Sequence, residues 1–402
     1  MAGATGFGQT FFISLYAGEW RAEFNLSHGD WGAIYMAATL TSAAVITQAG
    51  RLADHWRARS LSMAILAAFA LICVGIANAS SWWMLCALIF GLRFCGQGML
   101  SHLAVTAMAK WFRANRARAV ATASFGFSLG EAILPAVALT VIAMIGWRAS
   151  WLVAAGFLVF LVAPLLLWLL RRERSPQAMT ETVASPGMDG RHWTRGEMMR
   201  HWSFWALMPG LLGPSWIGTT MFFQIIHLTE VKDWAAIDYA ALAYPAYSVV
   251  TVLASFAFGW AADRTSALRL LPVYLLGWAA GSALMGASGG LWAGVFALAV
   301  AGIGSGGVTV VHGAIFAELY GTRWLGGIKA IAAAVMVLAS ALGPGVSGAL
   351  LDAGVPFETQ CYGMAAYLIV VSAWFAFVSR RAKALIDDEA FQAIDDRENR
   401  AR

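Results

Sequence analysis

"FGLRFCGQGMLSH", residues 90–102, sits inside an apolar run that opens at Trp82-Trp83 and closes at Lys110-Trp111. It raises one question: why does Arg93 stand there? At 1.5 Å per helical residue Arg93 lies about 16 Å beyond Trp82, close to the middle of a hydrocarbon layer ~30 Å thick. A charge at that depth costs several kcal/mol by order of magnitude, so its presence calls for a partner or a task.

The surrounding chain has the composition of a membrane protein. Apolar residues make up 60% of the 402 and charged ones only 12%. A soluble domain of this size cannot hide that much apolar surface. Runs of roughly 20 apolar residues between charged or Gly/Pro breaks predict twelve helices. They span 4–22, 31–50, 60–79, 82–109, 117–145, 149–170, 203–229, 236–260, 268–287, 290–317, 325–350 and 357–379. The runs are too long for strands of a membrane barrel and lack their alternation. The reading is an all-α membrane protein.

Basic residues set its expected orientation. The loops after helices 2, 4, 6, 8 and 10, with the tail, hold 23 of the 27 Lys and Arg. Such a bias predicts that this side, with both termini, faces the cytoplasm of a plasma or bacterial inner membrane. The net charge of +5 is spread over these short clusters, which excludes a nucleic-acid stripe. Cys73, Cys86, Cys95 and Cys361 fall in or beside apolar segments, without disulfide or metal-ligand spacing. No cofactor and no metal are expected.

The polar stretch 171–202 divides six helices from six, so the expected organisation is a bundle over 1–170, a cytoplasmic linker over 171–202, a second bundle over 203–380 and a solvated charged tail over 381–402. The halves repeat. Gly50 and Asp54 recur as Gly259 and Asp263, offset 209. Gly96, His102 and Arg113 recur as Gly306, His312 and Arg323, offset 210, and Phe11-Phe12 as Phe222-Phe223, offset 211. Two pseudo-symmetric six-helix bundles with a site between them are the architecture of a carrier. By the same repeat helix 1 is shortened: ten residues precede Phe11, so the helix is expected to be about 15 Å short of its mate and the true start to lie upstream.

These features resemble the major facilitator superfamily over essentially the whole chain. "GRLADHWRAR" (50–59) is similar to its loop signature through Gly50, Asp54 and Arg59, with His55 and Arg57 at places where a basic residue and glycine are usual. "RFCGQG" (93–98) matches its helix 4 signature through Arg93, Gly96 and Gly98. "WFRANRARAVATASFGFSLGEAILP" (111–135) looks most like the monocarboxylate and organic-anion branch, although helix 8, "YPAYSVVTVLASFAFG" (244–259), has no charge where those carriers usually place an acid–base pair. "GFSLGE" (126–131) has Glu131 where the superfamily's antiporter signature has proline.

Candidate substrate-binding residues follow from depth and helical phase. Arg93 offers a bidentate fork to a carboxylate, with Gln97 and Ser101 expected on the same face at i+4 and i+8; its other possible task is to cap carbonyls or brace helix 1. Gln9, Phe12 and Tyr16 share a face of helix 1, and Phe223, Gln224 and His227 one of helix 7. Tyr244 and Tyr247 begin a hydroxyl stripe on helix 8 that continues through Ser248 and Thr251. Glu131 is the acid deepest in a span and the candidate proton-coupling group, or else a fixed structural partner. Asp54, Arg59 and Asp263 are candidate gating residues at the basic ends. His102 and His312 are expected to pack through hydrogen bonds. At offset 210 Arg93 and Gln97 correspond to Ile303 and Gly307, so the cationic face is confined to one half.

The expected function is secondary active transport of a small, monocarboxylate-like organic anion by alternating access, as symport with protons or without them. Its partners are the substrate and the lipid bilayer, and the expected state is a monomer. The alternatives are a drug or small-solute antiporter of the same fold and a transporter-like sensor. An enzyme is not expected: the scattered histidines form no catalytic cluster.

Overall fold

The computed structural model describes residues 2–49, 52, 56–111, 116–171 and 186–401. Among these it is helical, with no strand. Helix α1 is assembled from a 3₁₀ stretch Ala2–Gly8, a turn Thr10–Ile13, a second 3₁₀ turn Ser14–Tyr16 and Ala17–Phe24. Next come α2 (His28–Ala49), α3 (Ala58–Ala77) and α4, which runs Trp82–Leu92, then as a π-helix Arg93–Leu100, then Ser101–Trp111. The stretch Arg116–Phe157 turns sharply at Gly146, whose φ of +79° suits a residue without Cβ. It therefore supplies α5 (116–145) and the start of α6 (147–169).

A short helix, Arg195–Arg200, leads into the second half. There α7 is Trp202–Phe223 and Ile225–Val231, α8 Ala236–Arg264, α9 Ala267–Tyr274 and Leu276–Ala287, α10 Leu291–Tyr320, α11 Leu325–Asp352 and α12 Phe357–Ala401. Eight of the described helices are long and apolar enough to cross a membrane, and one of the eight holds both α5 and α6. With α1, α2 and α7 the twelve crossings are complete. The polar tail does not break away at 380, because α12 continues through it.

Glycine and proline shape the packing. Gly8 lies so close to α4 that a Cβ on it would meet the Leu92 carbonyl oxygen at 2.3 Å and the Gly96 Cα at 2.8 Å. Small residues allow this backbone-to-backbone approach within a membrane. In α7 Pro214 cannot bond the Gly210 carbonyl; the Tyr274 hydroxyl of α9 donates to it instead at 3.0 Å. The same hydroxyl lies 3.1 Å from Nε2 of His312 on α10, which places that histidine in a packed polar contact. His102 is exposed.

The repeat is visible in how both halves interrupt their first helix. Alpha-helical bonding in α7 breaks at Gln224; offset 211 pairs Gln224 with Ile13, where the 3₁₀ turn of α1 begins. Each half has its own core. In the first, Phe12 meets Trp151 edge-on, while Tyr16 stacks on Trp20 at 5.3 Å and bonds Ser150. In the second, Gln224 donates to Ser347 on α11, whose hydroxyl donates to Gln360 on α12.

The halves close on each other at the end away from the basic loops. Gly348 of α11 sits against the first turn of α2, where a Cβ would fall 2.2 Å from the His28 carbonyl oxygen. His28 meets His227 edge-on at 4.5 Å, and Trp31 stacks on Phe223 at 5.4 Å. The part of the polar connection that is described packs on the second half: Met188, Trp193 and Met198 are buried, and the Trp193 backbone N–H donates to the Tyr320 carbonyl. A capping box between Thr194 and Glu197 starts the short helix there.

Candidate functional site

The midpoint of the bundle gathers two separate polar features. The first is Arg93, only 1% exposed. The 3₁₀ stretch of α1 ends at Gly8, and Gln9 is extended (φ −89°, ψ 157°), so carbonyls at this break lose their helical donors. Nη1 of Arg93 donates to the Gly8 carbonyl at 3.3 Å and to Thr10 Oγ1 at 3.4 Å. Thr10 Oγ1 is in turn 2.6 Å from the Tyr35 hydroxyl on α2, and the guanidinium lies over the Tyr35 ring at 5.0 Å.

One edge of the guanidinium thus braces the broken helix. The other edge does not: Nε and Nη2 are buried and have no hydrogen-bond partner among the described residues. No carboxylate forms an ion pair with Arg93 among them either. A buried cation without a counter-ion is costly, and a π-face offsets only part of that cost. The π-turn that begins at Arg93 is itself a feature frequent at functional sites.

The second feature is Glu131 on α5, 8% exposed. It lies within electrostatic reach of Tyr244 and Tyr247 on α8 and has no ion pair or hydrogen bond among the described residues. Aromatic rings surround the place. Phe127 shares its helix face one turn earlier, and Phe11 lies 6.0 Å from Phe127 and 6.4 Å from Tyr244. Phe222 stacks on Tyr244 at 5.6 Å and meets Tyr247 edge-on at 5.1 Å. The repeat-related Phe11 and Phe222 therefore flank one tyrosine. The hydroxyls of Tyr244 and Ser248 are buried without partners among the described residues, while Tyr247 bonds Ser305 on α10 at 2.6 Å.

The remaining candidates distribute as follows. Gln97 and Ser101 are partly exposed, and Ser101 donates to the Gly96 carbonyl five residues back, in keeping with the π-turn. Gln9 is buried at the break in α1. Phe12 and Tyr16 point into the first half's own core, and Gln224 into the second half's. Phe223 and His227 lie where the halves meet, against Trp31, Tyr35 and His28. Arg59 and Asp263 are exposed; Asp54 lies outside the described residues. Sequence reasoning missed Gly8, Thr10, Tyr35, Phe11 and Phe222. The glycine spacing in "GATGFG" and the phenylalanine pairs were the available signals.

Comparison with known proteins fixes the family. The sequence profile of the Major Facilitator Superfamily matches residues 1–246. The chain belongs to that superfamily. No curated protein matches this transporter in sequence. Its fold is similar to that of a bacterial homolog to the human lysosomal transporter Spinster, in an inward-facing and unoccupied conformation, at 14% identity and TM-score 0.73, covering 96% of each chain. It is also similar to the nucleoside transporter NupG, at 11% identity and TM-score 0.65, again covering 96% of each chain. At such identities the likeness concerns the fold. The protein is a multi-pass membrane transporter for a small solute.

Proposed function

We propose that this transporter moves a small organic anion of the monocarboxylate kind, with Arg93 as its anion partner and Glu131 as a group that carries a coupled proton. The observation that supports the reading is the unpaired Nε and Nη2 edge of a guanidinium that is otherwise fixed. Two parallel donors on a fixed plane match a carboxylate's two oxygens. The counter-charge that α2, α4 and α5 do not provide would then arrive with the substrate.

We place the basic loops in the cytoplasm of a plasma or bacterial inner membrane, following the bias of lysine and arginine. The end closed by α2 and α11 is then the outer one, and the conformation is inward-facing. Alternating access would open the contacts around His28, Gly348 and Asp352 and close the basic end, with Asp54, Arg59 and Asp263 as gating charges. The second reading is efflux of a lipophilic cation. It is favoured by the aromatic surroundings of Glu131, since rings and a carboxylate together suit a cation.

Uptake of labelled small carboxylates by proteoliposomes tests the first reading. Arg93→Ala should abolish both net uptake and exchange. Arg93→Lys, which keeps charge but loses the fork, should raise the half-saturating concentration more than it lowers the maximal rate. Wild-type exchange in Arg93→Ala would leave the arginine a brace for α1 only.

A further inference from the structure

We infer that a recess at the basic end of the first half, between α3 and α6, holds the headgroup of an anionic phospholipid. The recess has a volume of about 530 Å³ and is lined by Arg57, Arg59, Ser60, Met63, Leu167, Leu170 and Arg171. Arg57, Arg59, Arg171 and Ser60 bring three basic residues and a hydroxyl to its lining, and among the described residues none of those lining it is a carboxylate. Its chemistry is therefore that of a phosphate receptor.

The floor decides between free phosphate and a lipid. Met63, Leu167 and Leu170 are apolar, and a phosphate ion gains nothing from them. The apolar surface continues from the recess along the outer face of the bundle: Leu165 and Leu161 are each more than half exposed, and Phe160 is 82% exposed. Acyl chains attached to a headgroup in the recess would lie along this face. Trp56 and Trp168, both largely exposed, stand at the level where a bilayer's polar and apolar layers meet, which is where such rings concentrate. Basic recesses between membrane helices at this level are a known way to hold anionic headgroups. The start of α3 adds backbone donors: its N-cap residue, Arg57, is extended, and the Arg57 side chain does not itself cap the first turn.

The test uses the full-length protein in neutral detergent and follows its thermal unfolding. Phosphatidylglycerol added in mixed micelles should raise the midpoint saturably, and phosphatidylcholine should not. The Arg59→Gln/Arg171→Gln variant should need at least tenfold more phosphatidylglycerol for half of that rise. Arg171→Gln alone, a change at an exposed residue, should need severalfold more. Arg171→Lys should respond nearly as wild type does. Arg323→Gln, in a separate recess of about 370 Å³ lined by Arg195, Arg323 and Trp324, should leave the response unchanged. Equal stabilisation by phosphatidylcholine, an unaltered response in both Gln variants, or an equal loss in Arg323→Gln would overturn the assignment. So would the same rise from inorganic phosphate at matched concentration, which would make the recess a site for the free ion.

Discussion

The Asp352 carboxylate accepts hydrogen bonds from the backbone N–H groups of His28, at 3.1 Å, and Gly29, at 2.7 Å, and so ties the C-terminal end of α11 to the N-terminal end of α2. An acid in the last turn of its own helix opposes that helix's dipole. Here it gains more from the positive end of a helix in the other half than it loses at home. Ser27 and Asp30 already cap the same turn reciprocally, so Asp352 is free to act between the halves and not merely within one.

Asp352→Asn should therefore loosen this closure. Hydrogen bonds to a charged acceptor contribute about 1.5–3 kcal/mol at most in such settings, and a partly exposed pair contributes less. A loss of about 1–2 kcal/mol would shift the balance between closed and open states roughly five- to thirtyfold. Spin labels on the ends of α2 and α11 should report a larger population of long distances in the variant. An unchanged distance distribution would show that glycine packing alone holds this end shut.

Much of this was legible in the sequence, for identifiable reasons. Twelve crossings follow from the length of apolar runs, and two related halves from offsets near 210 that survive in the matching interruptions at Ile13 and Gln224. The depth of Arg93 could be counted from Trp82. That it could cap carbonyls and brace helix 1 was also readable, but the partners were not, because they depend on a break at Gln9 that no proline marks and on Thr10 and Tyr35, which read as ordinary residues. The π-helix over Arg93–Leu100 was not legible either, and it changes the spacing at which Arg93, Gln97 and Ser101 share a face. The Asp352–Gly29 contact joins residues 323 positions apart, beyond what local pattern carries.

The close approach of Gly8 to α4 gives a stability prediction. Gly8→Val must displace the Leu92 carbonyl or the Gly96 backbone, and neither is a flexible side-chain end. Overpacking of this kind costs about 1–3 kcal/mol. It would also move the Gly8 carbonyl from Arg93. Thermal unfolding in detergent should occur several degrees lower than in wild type, whereas Gly196→Val, where a Cβ meets nothing within 4 Å, should leave the midpoint unchanged. Equal midpoints for both variants would mean that α1 is not packed against α4 as described.

Gly196 also offers a site for testing orientation. A cysteine there stands on the short helix before α7, clear of neighbours. With the basic loops inside, a membrane-impermeant maleimide should not label it in intact cells but should label it fully after the membrane is opened. Of the free cysteines, Cys73, Cys95 and Cys361 are buried and Cys86 is partly exposed, and the chain without the new cysteine measures their background. Labelling of intact cells would reverse the orientation and turn the closed α2–α11 end toward the cytoplasm.

Arg93 and Glu131 carry separate tasks in the proposed cycle, and separate phenotypes follow. The two groups form no ion pair among the described residues, and Glu131 sits across from Tyr244 and Tyr247 on the other half. A proton arriving at Glu131 would remove a buried charge from the α5–α8 contact and so favour one packing of the halves over the other. Glu131→Gln mimics the protonated form permanently. It should keep exchange of labelled for unlabelled substrate within about twofold of wild type, since exchange requires no net proton movement. Accumulation driven by a pH gradient should fall to the level of facilitated equilibration. Arg93→Ala should lose both activities in the same vesicles. Full pH-driven accumulation in Glu131→Gln would remove the proton role and leave a uniporter or exchanger. Loss of exchange in Glu131→Gln, together with binding of a cationic competitor that Arg93→Ala keeps and Glu131→Gln loses, would instead favour the efflux reading, in which the carboxylate itself meets the substrate.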